Sequence, residues 1–291
     1  MALDIHTHYF TAEYLQNLDR YVGLRESRDY LEGVVLKNLA RAQSGTATFE
    51  NYLGAMNKNH IGQAMVFGLS DTAVGCRHLN DQVHLLTEEH PHRILGFGTI
   101  PLLEGMAAIK EELQHIGTEL GFRGIKIYPS MSKLRFTSDT IIEVLAEAAA
   151  LDLVVLTDCS FVCWENPGYF GTDNKFYELL EALNRLEDRP KVIAAHLGGG
   201  LIYFRDMYKL FGSGDYDNVW FDISPFFPAS MIKAAMEIVG AERLLFGSDF
   251  PFSDGSENLA ALAELNLSPR EERVILEGNA LEVLGLNGEH Q

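Results

Sequence analysis

Residues 2–10 of the chain read ALDIHTHYF, a short apolar run that carries two histidines one residue apart. A nearly continuous apolar run of this length is typical of a parallel strand that helices cover. Side chains two positions apart on a strand face the same side, so His6 and His8 are expected to point together into the space that the strand borders. Two imidazoles in that arrangement can bind one cation. The remainder of the chain has to supply the partners of such a site.

Seven more runs of this kind follow, each separated from the next by turn residues and a helical pattern. Residues 139–152 and 174–188 are amphipathic helix candidates that start near Ser, Asp or Asn. Eight strands alternating with helices in a chain of 291 residues predict a (β/α)8 TIM barrel of the α/β class. A doubly wound open sheet is the alternative, but no GxGxxG motif follows the first strand. The seven runs are QAMVFGL (63–69), ILGFGTI (94–100), RGIKIY (123–128), LVVLT (153–157), KVIAAH (191–196), NVWFDI (218–223) and RLLFGS (243–248).

The connection between the first two strands is unusually long. It takes up about fifty residues, more than a βα connection needs. Residues from about 10 to 59 are therefore expected to add helices over the mouth of the barrel and to form part of a substrate pocket. No internal repeat, low-complexity tract or linker interrupts the pattern, so residues 1–291 are interpreted as one domain.

Composition limits the classes of partner. A net charge of −18 without a basic stretch argues against a nucleic-acid partner. The apolar runs are too short to span a membrane, and the N-terminus shows no secretory signal. Cys76, Cys159 and Cys163 are an odd number of cysteines in a large chain, as expected for reduced thiols in a cytoplasmic protein.

Polar residues fall where predicted strands end, and barrel enzymes carry their active sites at that end. The sixth strand runs into AAHLGGG (194–200), which places His196 at its end, and the eighth runs into FGSDFPF (246–252), which places Asp249 there. Buried carboxylates are rare unless they are paired or bind a metal. Together with the two histidines of the first strand, these residues predict a metal site.

Several of these stretches resemble the amidohydrolase superfamily. The resemblance is to the amidohydrolase-related branch, which contains aminocarboxymuconate-semialdehyde decarboxylase, the resorcylate decarboxylases and lactonases. The matching segments occur in the family's order and span almost the whole chain. They include DIHTHYF (4–10), LGFRGIKIYPS (120–130), AAHLGGG (194–200), NVWFDIS (218–224) and ERLLFGSDFP (242–251).

The resemblance implies roles for the matching residues. His6 and His8 correspond to metal ligands of the first strand, and Asp249 corresponds to a ligand that takes a proton from the attacking water in hydrolytic members. His196 corresponds to a residue that polarises the substrate or moves protons. The implied cofactor is one divalent metal ion, zinc first, with manganese or iron as alternatives. The implied partner is a small-molecule substrate, and a homodimer is a further option.

The fifth strand departs from the family pattern. Relatives commonly end it in a histidine that completes the metal shell, whereas LVVLTDCS (153–160) places Asp158 there. A carboxylate also binds divalent metals and shifts the preference toward harder ions such as Mn²⁺. We expect Asp158 to be a fourth ligand, with a structural hydrogen bond as the alternative.

Other polar and aromatic residues near strand ends are candidates for substrate binding. Lys126 is expected to form an interior ion pair or to contact substrate, with carbamylation as an alternative. Tyr128 and Trp164 follow strand ends and are candidates to line a flat pocket. Asp222 ends the seventh strand, where it could hold His196 or the substrate. Six further histidines are expected on the surface: His60, His78, His84, His90, His92 and His115.

The same metal site supports more than one reaction, so the fold alone does not choose between them. The compact chain and the absent strand-five histidine favour metal-dependent hydrolysis of a small lactone, ester or amide. Decarboxylation of a small aromatic carboxylic acid is the alternative. A non-catalytic subunit and a metal-dependent oxygenase are the remaining hypotheses.

Overall fold

Parallel strands alternate with helices through the residues that the computed structural model describes, which are 1–10, 48–68, 75–129, 132, 134–159, 175–199 and 216–286. The strands are β1 Ala2–Tyr9, β2 Ile61–Gly68, β3 Ile94–Gly96, β4 Gly98–Thr99, β5 Gly124–Ile127, β6 Val154–Thr157, β7 Val192–Ala194, β8 Val219–Asp222 and β9 Leu244–Leu245. The helices are α1 Phe49–Lys58, α2 Cys76–Glu89, α3 Met106–Gln114, α4 Asp139–Ala150, α5 Lys175–Asn184, α6 Ala229–Val239, α7 Ser256–Glu264, α8 Pro269–Arg273 and α9 Asn279–Val283. The eight runs predicted as strands and the two helix candidates are confirmed.

The strands close into a barrel. Each pairs in parallel with its neighbour in chain order, and β3 and β4 are two pieces of one barrel strand that is interrupted at Phe97. The last strand returns to the first: the Ile5 amide donates to the Phe246 carbonyl at 3.0 Å, and the Asp249 amide donates to the His6 carbonyl at 2.8 Å. This closure confirms the (β/α)8 barrel and excludes the doubly wound open sheet.

Alternation along the strands divides the apolar residues into two layers. On β2, Met65 and Phe67 join a cluster inside the barrel, whereas Ala64 and Val66 join a cluster between the barrel and its helices. The two faces of each strand are thus both buried, one against the barrel interior and one against the helices. The sequences of the parallel strands are therefore continuously apolar.

A bulge interrupts this alternation on β1. Asp4 and Thr7 are three residues apart, yet they pair with residues of β2 that are only two apart. Both turn outward and meet the hydroxyl of Tyr52, which is buried on α1. Ile5 joins the interior cluster, and the imidazole of His6 contacts side chains inside the barrel as well. The extra residue therefore places two successive side chains inside, one of them a candidate ligand.

The expected insertion over the barrel mouth lies largely outside the described residues. Of residues 10–59, the structure describes Phe10 and the segment from Thr48 onward. That segment contains α1, whose Met56 is buried in the outer apolar layer. Trp164 also lies outside the described residues. No helix in the described parts of the chain is both long enough and apolar enough to cross a membrane.

Candidate metal centre

The interior of the barrel changes from apolar to polar toward the C-terminal ends of its strands. On β6, Val154 and Leu156 belong to the interior apolar cluster, and Asp158 follows at the next inward position. On β8, Trp220 belongs to the same cluster, and Asp222 lies two positions further along the strand. Polar side chains from several strands consequently meet at the C-terminal end of the barrel, and the interior apolar cluster lies beneath them.

Three side chains converge there. The Nε2 atom of His8 lies 2.8 Å from Oδ1 of Asp249, and the Nε2 atom of His6 lies 3.2 Å from the same oxygen. All three residues are buried, and their candidate ligand atoms lie within 4.8 Å of one another. The structure thus brings together three of the four residues that the sequence predicts as metal ligands.

The protonation states of these groups suit a divalent cation. Burial, with a smaller contribution from the charge of Lys126, lowers the pKa of His6 to about 4. Burial also lowers the pKa of His8, although Asp249 opposes the shift. Burial works against the charge of Asp249, but the nearby imidazoles outweigh it and lower the pKa of that carboxyl. Two neutral imidazoles and one carboxylate are ligands that Zn²⁺, Mn²⁺ and Fe²⁺ accept.

His6 is held from both sides of its ring. Its Nδ1 atom lies 2.9 Å from Oδ2 of Asp222, and its Nε2 atom lies 3.2 Å from Nζ of Lys126. The pKa of Asp222 lies below its ordinary value: burial opposes its charge, but His6 and the hydroxyl of Ser224 outweigh burial. Asp222 therefore acts as an ionised acceptor for the imidazole.

A turn with unusual backbone angles carries His196. Residues Ala195–Gly199 follow β7, and the φ angles of His196, Leu197 and Gly198 are 58°, 51° and 64°. Non-glycine residues rarely adopt this left-handed conformation, and such strain concentrates at functional sites. The amide of His196 donates to Oδ1 of Asp222 at 2.9 Å, and Nδ1 lies 2.9 Å from the Ser224 carbonyl.

His196 and Asp158 form a pair. Nε2 of His196 lies 3.4 Å from Oδ1 of Asp158. Burial alone would lower the pKa of this imidazole, but the hydrogen bond to Asp158 and the charges of Asp249 and Asp222 outweigh burial and raise the pKa to about 9. The group is therefore a cationic acid at neutral pH. Among the described residues, Asp158 is not in the three-ligand cluster, and its role as a fourth ligand stays a prediction.

Two predicted substrate-binding residues contact the candidate ligands His6 and His8. The hydroxyl of Tyr128 lies 3.2 Å from Nδ1 of His8. Nζ of Lys126 lies over the rings of Phe67 and Tyr128, at 5.2 and 5.0 Å from their centroids. Burial lowers the pKa of Lys126, and the surrounding carboxylates oppose that shift. Contact of either residue with substrate stays a prediction.

A second cluster behind β1 was missed by sequence reasoning. Oδ2 of Asp4 accepts from the hydroxyl of Tyr52 at 2.8 Å, and Oδ1 accepts from the amide of Ser248 at 2.9 Å. Burial raises the pKa of Asp4 to about 6, against the hydrogen bonds it accepts. Simple alternation from His6 would place Asp4 inside the barrel. The bulge turns Asp4 outward, where it binds the amide of Ser248, the residue before Asp249.

One expected surface histidine is buried. His60, His78 and His92 are exposed as predicted, but His115 is 8% exposed and the prediction is wrong for it. Its two ring nitrogens lie 2.9 Å from Glu119 and 3.1 Å from Asp81. Because both nitrogens have carboxylate partners, burying this polar ring costs little.

A closed barrel whose strand ends carry converging imidazoles and a carboxylate is an arrangement of metal-dependent barrel enzymes. A model of the amidohydrolase family matches residues 3–286, and the chain belongs to that family. This match confirms the resemblance read from the motifs.

Three named proteins resemble the chain at low sequence identity. It is 24% identical over 256 residues to gamma-resorcylate decarboxylase of Polaromonas sp., covering 72% of this chain and 76% of that protein. The structure of 2,6-dihydroxybenzoate decarboxylase from Rhizobium matches with a TM-score of 0.76 and 18% identity over 99% of each chain. A dihydroxybenzoic acid decarboxylase from Polaromonas sp., with bound manganese and the inhibitor 2-nitroresorcinol, matches with a TM-score of 0.75 and 18% identity over 98% of this chain and 97% of that one.

Proposed function

We propose that this chain is a divalent-metal-dependent decarboxylase of a small hydroxylated benzoate. One observation carries the proposal: His196 stands beside the buried cluster of His6, His8 and Asp249, in a barrel that superposes along its length on dihydroxybenzoate decarboxylases. The sequence favours hydrolysis of a lactone, ester or amide. The comparisons favour its alternative, because all three relatives described above are decarboxylases.

The cluster would hold the metal through His6, His8 and Asp249, with Asp158 as the proposed fourth ligand. When bound, the ion would supply a Lewis acid for the substrate carboxylate and a neighbouring hydroxyl. Manganese replaces zinc as the first expectation, since one structural neighbour contains it and a carboxylate-rich ligand set suits a harder ion.

His196 is suited to the proton transfer. In decarboxylation the bond between the ring carbon and the carboxyl carbon breaks, its electron pair stays on the ring carbon, and a proton takes the place of CO2. The side chain of His196 is 15% exposed, against 6% for His8 and 0% for His6, so His196 is the most accessible of the three imidazoles to a bound ring. Asp158 orients its Nε2 atom and would stabilise the cation before transfer.

Aromatic side chains next to His8 favour a flat substrate. The ring of Phe10 stacks on the imidazole with centroids 6.0 Å apart and planes 9° apart, and the ring of Phe252 meets it edge-on at 5.5 Å. Flat faces of this kind pack well against a benzene ring. The substrate would therefore place its ring among these side chains and its carboxylate toward the ligand cluster.

The test uses tag-free protein loaded with Mn²⁺ and a panel of hydroxybenzoates, led by 2,6-dihydroxybenzoate. We expect release of CO2 with loss of the substrate's ultraviolet absorbance, and we expect a chelator to abolish both. A matched panel of lactones and esters is assayed with the same preparation. Ring opening of a lactone without CO2 release from any benzoate would overturn the proposal in favour of hydrolysis.

A further inference from the structure

We infer that Asp222 is a positioning residue that holds His6 in its metal-binding tautomer and ties it to the turn that carries His196. The inference rests on the proposed metal site at His6. It concerns a carboxylate that lies outside the cluster of His6, His8 and Asp249 and groups instead with His6 and His196. Of the two predicted roles of Asp222, holding His196 or contacting substrate, it keeps the first, adds the contact with His6 and replaces the second.

One oxygen of Asp222 sets the proton on His6. Oδ2 lies 2.9 Å from Nδ1 of His6, and both groups are buried. A carboxylate oxygen accepts hydrogen bonds, so Nδ1 carries the hydrogen and Nε2 keeps its lone pair. Lys126 agrees with this assignment, because its ammonium group lies 3.2 Å from Nε2 and can only donate. Nε2 also lies 3.2 Å from Oδ1 of Asp249, an acceptor that His8 approaches more closely at 2.8 Å. The shorter contact of Nδ1 with Asp222 and the ammonium group at Nε2 therefore decide the tautomer.

The other oxygen of Asp222 holds the neighbouring backbone. Oδ1 accepts from the amide of His196 at 2.9 Å, from the amide of Ser224 at 3.1 Å and from the hydroxyl of Ser224 at 2.7 Å. Three donors therefore converge on this oxygen, at the start of the left-handed turn. A single buried carboxylate thus connects a proposed ligand with the residue proposed to deliver the proton.

Because the two oxygens of Asp222 have different partners, the substitution Asp222→Asn separates their roles. In Asp222→Asn the amide oxygen has to take the Oδ1 position, because an NH2 group there would face three donors. The NH2 group then takes the Oδ2 position and donates to Nδ1 of His6, which moves the ring hydrogen to Nε2. That nitrogen loses the lone pair that would bind metal, while the turn at His196 keeps its acceptor.

The first measurement is the tautomer of His6 in metal-free protein labelled with 15N-histidine, with the signal assigned by its loss in His6→Gln. We expect a hydrogen on Nδ1 in the wild type and on Nε2 in Asp222→Asn. The second measurement is Mn²⁺ affinity by electron paramagnetic resonance titration. Loss of a carboxylate that orients a ligating histidine should weaken binding by about 10- to 100-fold. An unchanged tautomer in the variant, or a changed tautomer with unchanged Mn²⁺ affinity, overturns the inference.

Asp4→Asn is the matched control. Asp4 is also a fully buried carboxylate and lies on β1, but it bonds to Tyr52, to Ser248 and to the backbone amide of His6, not to an imidazole. The control loses the same charge and should keep the hydrogen of His6 on Nδ1. If its Mn²⁺ affinity falls as far as that of Asp222→Asn while its tautomer stays unchanged, the loss does not depend on the hydrogen of His6 and the inference is wrong.

The wild-type measurement keeps the inference testable if a variant fails to fold. A hydrogen on Nε2 of His6 in the metal-free wild type contradicts the assignment directly. Failure of the proposed function has a different signature: Mn²⁺ binds and the tautomers respond as expected, yet no benzoate releases CO2.

Discussion

At the scale of single residues, Gly247 makes room for the candidate metal centre. A Cβ atom added there would lie 3.0 Å from Cβ of His6, 3.3 Å from Cβ of Ser224 and 3.5 Å from Cβ of Asp222. The first two distances are tighter than ordinary contacts, so the neighbours would have to move by a few tenths of an ångström. The hydrogen bond between Asp222 and His6 therefore depends on a position with no side chain.

Gly247→Ala should weaken Mn²⁺ binding and destabilise the fold. We expect a loss of about 1–3 kcal/mol in the free energy of unfolding, as for other overpacked interiors. Metal titration and thermal unfolding measure the two effects. Gly54→Ala is the control: Gly54 is exposed within α1 with no atom within 4 Å of an added Cβ, and alanine there should stabilise the helix by about 0.5–1 kcal/mol. Equal effects of the two substitutions would contradict the argument.

At the scale of elements, the turn after β7 needs glycine at one described position for two reasons. Gly199 has a φ of 97°, and an added Cβ would lie 2.5 Å from the carbonyl oxygen of Cys159. That oxygen belongs to the backbone just after β6 and cannot rotate away. The close approach holds the turn against the strand end that carries Asp158, the partner of His196.

Gly199→Ala should destabilise the protein by more than about 2 kcal/mol, because it adds a backbone clash to the cost of the left-handed conformation. Gly105→Ala separates the two contributions. Gly105 has a φ of 89° but no atom within 4 Å of an added Cβ, so only the conformational cost of about 1–2 kcal/mol applies. Thermal unfolding of both variants provides the comparison, and similar midpoints would show that the contact with Cys159 is unimportant.

Another connection between elements predicts a dependence on pH. The carboxylate of Asp254 accepts from the amide of Ser256 at 2.9 Å and from Nζ of Lys58 at 3.3 Å, so it joins the end of α1 to the start of α7. Burial opposes its charge, but the hydrogen bonds from the hydroxyl and the amide of Ser256 and from Lys58 outweigh burial and hold the pKa of Asp254 below its ordinary value of 3.8.

Asp254→Asn should therefore destabilise the protein at neutral pH and less so in acid. A carboxyl with a depressed pKa in the folded state stabilises fully above its unfolded value, and that contribution disappears as pH falls through the folded value. The side chain of Asp254 is 35% exposed and that of Lys58 is 70% exposed, so solvent screens the pair and the expected effect is about 1 kcal/mol or less. Thermal midpoints of wild type and variant between neutral pH and pH of about 3 should converge at the acid end. A gap that widens in acid would refute this assignment.

At the scale of the whole molecule, the proposed metal joins the two ends of the barrel sheet. His6 and His8 lie on β1 and Asp249 follows β9, the strands whose pairing closes the barrel. An ion held by both would bind the folded chain and not the unfolded one. Binding of that kind raises stability according to ligand concentration.

Mn²⁺ should raise the thermal midpoint. At a free concentration about 100 times the dissociation constant, the stabilisation amounts to about 2.7 kcal/mol. His6→Ala and Asp249→Ala should abolish the increase and the bound metal together. His78→Ala, which replaces an exposed histidine on α2, should retain both. A midpoint that rises equally in His6→Ala would place the ion elsewhere.

Much of this arrangement follows from local patterns in the sequence. The barrel and the placement of His6, His8, His196 and Asp249 at strand ends follow from runs of eight residues or fewer, because alternation and strand direction are properties of short segments. The position of Asp158 at the end of β6 follows in the same way, but its pairing with His196 does not. Trp164 and most of residues 10–59 lie outside the described residues, so those predictions stand as made.

The partners of these residues were decided only by the tertiary structure. Asp222 and His6 are 216 positions apart, and whether their side chains meet depends on the register of every strand between them around the closed sheet. One extra residue in β1 turns Asp4 outward and His6 inward, and no local pattern marks that bulge. The sequence by itself determined which residues reach the mouth of the barrel. The tertiary structure determined which of them touch, because contacts across a barrel depend on register and twist accumulated over distant segments.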